Sequence, residues 1–334
     1  MTGLLDGLPP GLDGRVREAR PGVELAASPM LATLTDLRNF PDGWIFERKL
    51  DGIRALAVRE NGKVTLRSRS GRRLDATYPE IIEALAGQDT EDFTLDGEIV
   101  AYSHGRTDFG RLQQRMGLTR PADVAASKVA VTYYVFDLLR LDGRDVRRLP
   151  LRTRKSLLRR SITFTAPLRF STHRNEGGPE LLADACRRGW EGLIAKRAES
   201  TYQARRSGDW LKLKCSRGQE FVVGGFTEPT GSREGIGALL IGYHEGKRLR
   251  YAGKVGTGFD RRTLLSLRRQ LDELRLPGSP FVDPVAERTA HWAQPRLVAQ
   301  VAFTEWTRDG MLRHPRYQGL RDDKNPADVV REQA

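Results

Sequence analysis

The strongest constraint on this chain is a charge-rich octet caught between two apolar runs. Trp44-Ile45-Phe46 leads into Glu47-Arg48-Lys49-Leu50-Asp51-Gly52-Ile53-Arg54, and Ala55-Leu56-Ala57-Val58 follows. Apolar runs of that length around a glycine-bearing turn read as two buried strands with a polar turn between them. A lysine at the end of a buried strand is costly when charged, which predicts that the pKa of Lys49 is pushed down. A rigidly held neutral amine is a nucleophile. Asp51 offers a carboxylate for a divalent cation, Gly52 lets backbone approach a ligand, and Arg54 can fork onto oxygens. A solvated Lys-Asp-Gly turn would look the same in isolation, so the octet acquires meaning only from the company it keeps.

The chain has 334 residues, which favours two or three domains. Its 56 Lys and Arg against 43 Asp and Glu give a net charge of +13, a balance suited to a polyanionic partner, nucleic acid before anionic membrane. No apolar run is long enough to span a bilayer, so no membrane role is expected. No signal peptide pattern opens the sequence. The only cysteines, Cys186 and Cys215, form no C-x-x-C pair, which fits a reducing cytoplasm and excludes a thiolate zinc site.

Residues 1–27, rich in Pro, Gly and Leu, read as a loose leader draped over the first domain. Asn61-Gly62 between two alternating segments predicts a hairpin over residues 53–69, followed by the polar loop Ser68-Arg69-Ser70-Gly71. Helical spacing covers residues 78–86 and 108–118. Phe93 to Val100 reads as a short apolar strand interrupted by Asp96-Gly97-Glu98, carboxylates that need a partner or a cation in such surroundings. Residues 130–139 are the most strand-like segment. From Arg144 to Arg174 there are ten Lys and Arg and one Asp. Leu151 to Arg160 there predicts a helix with leucines inward and arginines outward, available to phosphates. A helix over 179–189 precedes Trp190 to Lys196, and in Leu211-Lys212-Leu213-Lys214 the period of two puts both lysines on one face. After residue 217 short strands alternate with glycine turns around one helix, Arg261 to Leu274, as in a small oligonucleotide-binding barrel.

Taken in order, these segments resemble the covalent nucleotidyltransferases, the ATP-dependent polynucleotide ligases and their capping-enzyme relatives. The matching stretches are Lys-x-Asp-Gly-x-Arg at 49–54, Ser-Arg-x-Gly at 68–71, Asp-Gly-Glu at 96–98 and Tyr-Val-Phe-Asp at 134–137. Glu-Gly-Leu-Ile-Ala-Lys at 191–196, Leu-Lys-Leu-Lys at 211–214 and a late Arg-x-Asp-Lys at 321–324 complete the set. Within the superfamily the sequence is most similar to the ligase module of bacterial end-joining ligase D, through Glu228 to Arg233, Tyr251 to Phe259 and Arg313-His314-Pro315. The chain is too short for the polymerase and nuclease modules that often accompany that ligase, so a stand-alone ligase core is expected.

The resemblance implies an α+β fold: a nucleotidyltransferase domain of ATP-grasp-like antiparallel sheets with helices, residues 28–217, then an OB-fold β-barrel, residues 218–334. It implies that Lys49 forms a lysyl-AMP with ATP, passes the AMP to a DNA 5′-phosphate, and that a 3′-hydroxyl then displaces it. Lys212 and Lys214 would depress the pKa of Lys49 and steady the α-phosphate. Asp51, Glu98 and Glu191 would hold Mg2+ or Mn2+, with ribose contact as the alternative for Glu98. Phe136 would stack on adenine, Glu47 would accept from its exocyclic amine, Arg54 would bind ribose, and Lys196 joins the nucleotide-binding set. Arg69 would grip the nick phosphate, and Arg321, Asp323 and Lys324 would orient pyrophosphate. The implied partners are nicked or broken DNA and a Ku-like end-binding protein, for a monomer at the cytoplasmic nucleoid. A GTP-using capping enzyme, an RNA ligase and a non-catalytic OB-fold binder of nucleic acid are the competing readings.

Overall fold

The structure, a computed structural model, describes residues 4–37, 39–215, 218–307 and 309–332. The chain divides into two compact units, residues 1–215 and 216–333. The expected boundary at 217/218 touches Arg217, which lies outside the described residues.

The first unit is built on two sheets. The larger runs in the order Arg17–Glu18, Arg144–Asp145, Val131–Leu141, Phe93–Ser103, Ile53–Glu60, Lys63–Ser68. The smaller runs His173–Arg174, Trp44–Lys49, Gly192–Arg197, Arg206–Lys214, Leu31–Leu34, and only its last pairing is parallel. The strands on either side of the octet therefore belong to different sheets, with Leu50, Asp51 and Gly52 as the link. The expected hairpin is present: Ala55 pairs with Ser68 and Glu60 with Lys63, while Asn61 and Gly62 take the positive φ angles, 51° and 72°, that a two-residue turn requires.

Two expectations change here. Asp96-Gly97-Glu98 does not interrupt its strand: Phe93–Ser103 runs through eleven residues, with shifts of register against Val131–Leu141 between Thr94 and Leu95 and between Asp96 and Gly97. Asp96 is fully buried, its charge answered by Arg54 rather than by solvent. The leader is not loose either. Leu4, Leu5, Leu8, Leu12 and Val16 pack against the main core of the first unit, and Arg17–Glu18 extends its sheet. The apolar periodicity was diluted by Pro and Gly, but five well-spaced aliphatic side chains suffice to hold it.

The helix over Leu151–Ser161 corrects a third expectation. Its buried residues include Arg154 and Lys155 beside Leu151 and Leu158, the i, i+3, i+4, i+7 spacing of one inward face. Arg154 is fully buried and bonds Asp137 through Nε at 2.7 Å and Nη2 at 2.8 Å. The helix Gly178–Arg187 ends near Cys186, which is joined to Cys215 in a disulfide with Cα atoms 5.1 Å apart, where thiols were expected.

The second unit has a curled antiparallel sheet in the order Arg248–Val255, Leu239–Glu245, Gly218–Thr227, Ala290–Ala302, Arg275–Leu276, with Arg316–Leu320 also paired to Ala290–Ala302. Register shifts at Val223/Gly225, Ile241/Gly242 and Gln300/Val301 let it bend. The helix Arg261–Asp272 is capped by the Asp260 carboxylate, which accepts from the Thr263 N–H, and turns Leu264, Leu267 and Leu271 into the core. Among the described residues no helix is long and apolar enough to cross a membrane.

Candidate active site

The two sheets of the first unit meet through a mixed cluster: Leu56, Val58, Phe136 and Leu139 from the larger, Trp210 from the smaller, and Met30 and Tyr202 from loops. Strand register then decides which side chains share the surface beside it. Glu47 lies opposite both Ile194 and His173, and Ile194 opposite Lys212. One step along, Lys49 and Lys214 both lie opposite Gly192. One step the other way, Lys196 stands between Ile45 and Trp210. Because side chains directly across a sheet point to the same face, Lys49, Lys212, Lys214, Lys196 and Glu47 form one continuous surface. Between Lys49 and Lys214 only glycine fits at position 192, because a Cβ there would lie 1.9 Å from the Leu213 carbonyl oxygen, with φ at +146°.

Lys49 retains 18% side-chain exposure and pairs with the Glu191 carboxylate. Burial pulls its pKa down, but Glu191, Asp51 and Glu98 more than reverse this and leave it raised. That is opposite to the expected direction. Glu191, paired directly with the amine, is the strongest of the three, followed by Asp51 and Glu98. Asp51 acts on this amine from the link, Glu98 from the larger sheet and Glu191 from the residue just before Gly192–Arg197 of the smaller. All three are hard oxygen donors of the kind Mg2+ or Mn2+ selects. Among the described residues no three Asp, Glu, His or Cys side chains close into a metal-binding group.

Arg54 is committed to Asp96, through Nε and Nη2 both at 2.5 Å, and to the Met30 carbonyl at 3.1 Å. Tyr202 donates to Asp96 Oδ2 at 2.6 Å. The Phe136 ring has the Lys196 ammonium 4.3 Å and the Arg54 guanidinium 4.7 Å from its centroid, and Trp210 meets it edge-on at 6.0 Å. Arg69 is half-buried in the loop after Lys63–Ser68, where Ser68 Oγ accepts from the Arg72 N–H. In the second unit Arg321 and Asp323 are buried against each other in a bidentate pair, 2.9 Å at both contacts, and Lys324 bonds Glu220 at 3.0 Å.

Glu47 is 3% exposed and sits in a cluster that only partly follows from the sequence. Its Oε1 accepts from Lys155 Nζ at 2.7 Å, and its Oε2 from Lys196 Nζ at 3.0 Å and from the Ser171 hydroxyl at 3.0 Å. Burial would raise its carboxyl, yet the two ammoniums hold it below the usual range. One carboxylate does not offset two buried ammoniums, and burial pushes Lys196 down to about 8. Lys155 and Ser171 were not singled out in the sequence. The signal for Lys155 was the helical spacing from Leu151; Ser171, in an irregular stretch, had none.

A family model described as ATP dependent DNA ligase domain matches residues 28–214, and one described as ATP dependent DNA ligase C terminal region matches residues 232–324. The chain belongs to the ATP-dependent DNA ligase family. It is 40% identical over 315 residues to the multifunctional non-homologous end joining protein LigD of Pseudomonas aeruginosa, covering 91% of this chain and 36% of that protein. Against the LigD of Mycobacterium tuberculosis H37Rv it is 40% identical over 314 residues, covering 91% and 40%. The chain thus spans well under half the length of these curated relatives. Among solved structures it is similar to mycobacterial DNA ligase D complexed with ATP and MES, with a TM-score of 0.61 and 36% identity over 92% of this chain and 98% of that one. Family membership fixes the two units as a ligase nucleotidyltransferase domain followed by an OB fold, as the resemblance implied.

Proposed function

We propose that this chain seals DNA breaks carrying a 5′-phosphate and a 3′-hydroxyl, using ATP. The neutral Lys49 amine attacks the α-phosphate, a P–N bond forms, the bond to the β-phosphate breaks, pyrophosphate leaves and the amine sheds a proton to solvent. The DNA 5′-phosphate oxygen then displaces the lysine from AMP. Finally the 3′-hydroxyl attacks that activated phosphate and AMP departs. The observation that carries this reading is that Glu98 from the larger sheet, Glu191 from the edge of the smaller and Asp51 from the link between them all act on one lysine.

Lys212 and Lys214, on the face shared with Lys49, suit the negative charge that develops on the α-phosphate. A divalent cation held by Asp51, Glu98 and Glu191 would offset their charge and that of the phosphates. Freed from three uncompensated carboxylates, Lys49 would lose its proton more readily. Glu47 and Phe136 serve adenine in this scheme and Lys196 holds Glu47. Arg54, tied to Asp96, presents a fixed guanidinium edge to ribose. Arg69 serves the break's phosphate, and Arg321, Asp323 and Lys324 serve pyrophosphate. The relatives' names carry end joining, so the reading extends to double-strand ends, a Ku-like end-binding partner, and a monomer working at the nucleoid in the cytoplasm.

Incubation with α-labelled ATP or GTP, followed by peptide mapping of the adduct, tests the proposal. Label from ATP on Lys49, absent in Lys49→Ala while DNA binding persists, is the expected result. Label only from GTP would move the chain to the capping reading, and label surviving in Lys49→Ala would place the nucleophile elsewhere. DNA affinity that falls steeply with salt is expected for phosphate contacts.

A further inference from the structure

The buried cluster around Glu47 contains a group that the reaction scheme does not use. Lys155, 2% exposed, comes from the helix Leu151–Ser161 and gives its ammonium to Glu47 Oε1 at 2.7 Å and to the Ser171 carbonyl at 2.9 Å. The Ser171 hydroxyl donates to the other oxygen, Oε2, at 3.0 Å. We propose that Lys155, assisted by the Ser171 hydroxyl, is a positioning residue that sets the choice of nucleobase by fixing Glu47 as an acceptor. The inference rests on the reading of Glu47 as the partner of the adenine amine.

A carboxylate offers about four lone-pair positions, two on each oxygen. Lys196 and Ser171 take both positions on Oε2, and Lys155 takes one on Oε1. One acceptor position is left, on the oxygen that Lys155 holds. It suits the exocyclic amine of adenine and faces the carbonyl of guanine acceptor to acceptor, a mismatch that leaves both groups unpaired in a buried place. A protonated Glu47 would reverse this, because a carboxylic acid can donate to the guanine carbonyl. Two ammoniums on one carboxylate prevent that, and they do so from different directions: Lys196 from the sheet and Lys155 from the helix. Lys196 alone does not suffice, since its own ammonium is weakened by burial between Phe136 and Trp210. Ser171 and Lys155 also block rotation of the carboxylate, which would otherwise exchange the two oxygens.

The test is single-turnover labelling of the full chain with α-labelled ATP and, separately, α-labelled GTP, read as the ratio of kcat/KM for the two. Lys155→Met is expected to lower the ATP preference at least tenfold, with the loss in KM for ATP rather than in kcat. His173 lies opposite Glu47 in the sheet and is common to parent and variant, so the change assigned to the carboxyl is the difference between them: use of GTP by Lys155→Met should grow more than the parent's as pH falls from 8 to 6. Lys155→Arg should restore the preference. Ser171→Ala, a milder change, is expected to lower it about threefold to tenfold and serves if Lys155→Met does not fold. A Lys155→Met or Ser171→Ala chain that melts earlier but keeps the parental preference and the parental pH trend overturns the inference. Glu47→Gln separates the two levels. If it relaxes the preference and neither Lys155→Met nor Ser171→Ala does, only the positioning role falls; if it leaves the preference intact, the adenine reading of Glu47 falls with it.

Discussion

Gly192 offers the sharpest test of the site's geometry. Its register partners are Lys49 on one side and Lys214 on the other, so it sets the spacing between the proposed nucleophile and the lysine proposed to face the same phosphate. In Gly192→Ala the new Cβ would start 1.9 Å from the Leu213 oxygen, whereas real Cβ atoms essentially never approach another heavy atom closer than 3.0 Å. The neighbouring strands must part by about 1 Å, and a misplacement of that size costs on the order of 10²-fold in rate, or about 2.7 kcal/mol of barrier. Overpacking strain in the folded state adds about 1–3 kcal/mol of lost stability. The assay is rapid-quench labelling with α-labelled ATP well below the melting temperature, with Tm measured in parallel. Gly208→Ala is the control: it sits in the same strand as Lys214 with nothing within 4 Å of its Cβ, and should label at the parental rate. A folded Gly192→Ala chain that labels within threefold of the parent would refute the claim that this glycine sets the Lys49–Lys214 spacing.

Arg154→Leu strips the fully buried Asp137 of its only ion-pair partner among the described residues and is expected to cost about 3–5 kcal/mol in denaturant unfolding. Arg154→Leu with Asp137→Leu should recover most of that, and a single variant costing under about 1 kcal/mol contradicts the assigned pairing. Lys196 predicts a rise of stability with pH. The folded chain sheds this proton near pH 8 and the unfolded chain keeps it to about 10.4, so the unfolded state binds more protons in that window. The contribution reaches on the order of 3 kcal/mol; it should vanish in Lys196→Met, and a parent-minus-variant difference that stays flat from pH 8 to 10 rules it out.

The polypeptide announced its chemistry more clearly than its architecture. Motif residues came with fixed spacing, so Lys49, Glu98, Glu191, Lys212 and Lys214 were legible as members of one set before any strand was placed. Periodicity also found the helices at Pro79–Ala86 and Arg261–Asp272. What it missed had a common cause, charge inside the fold. Arg154 read as surface because basic side chains usually are, Lys155 drew no notice, and Asp96-Gly97-Glu98 read as an interruption because two carboxylates rarely sit in an unbroken strand. In each case a partner distant in sequence, Asp137, Glu47 or Arg54, supplies the missing countercharge, and no local window contains that information. The direction of the Lys49 shift failed for the same reason. Its nearest like charges were visible in the sequence, but how closely Glu191 and Glu98 approach depends on two sheets coming together.

The octet that opens this chain's chemistry is a bridge rather than a bend. Residues 50–52 are the covalent tie from one sheet to the other, and the acids around Lys49 come from both banks and from the span itself. Spreading the banks would withdraw Glu98 and Glu191 in opposite directions and leave the amine with Asp51 alone. The basicity of Lys49 is therefore a gauge of how widely the two sheets stand apart, and any ligand that wedges between them tunes that amine before touching it.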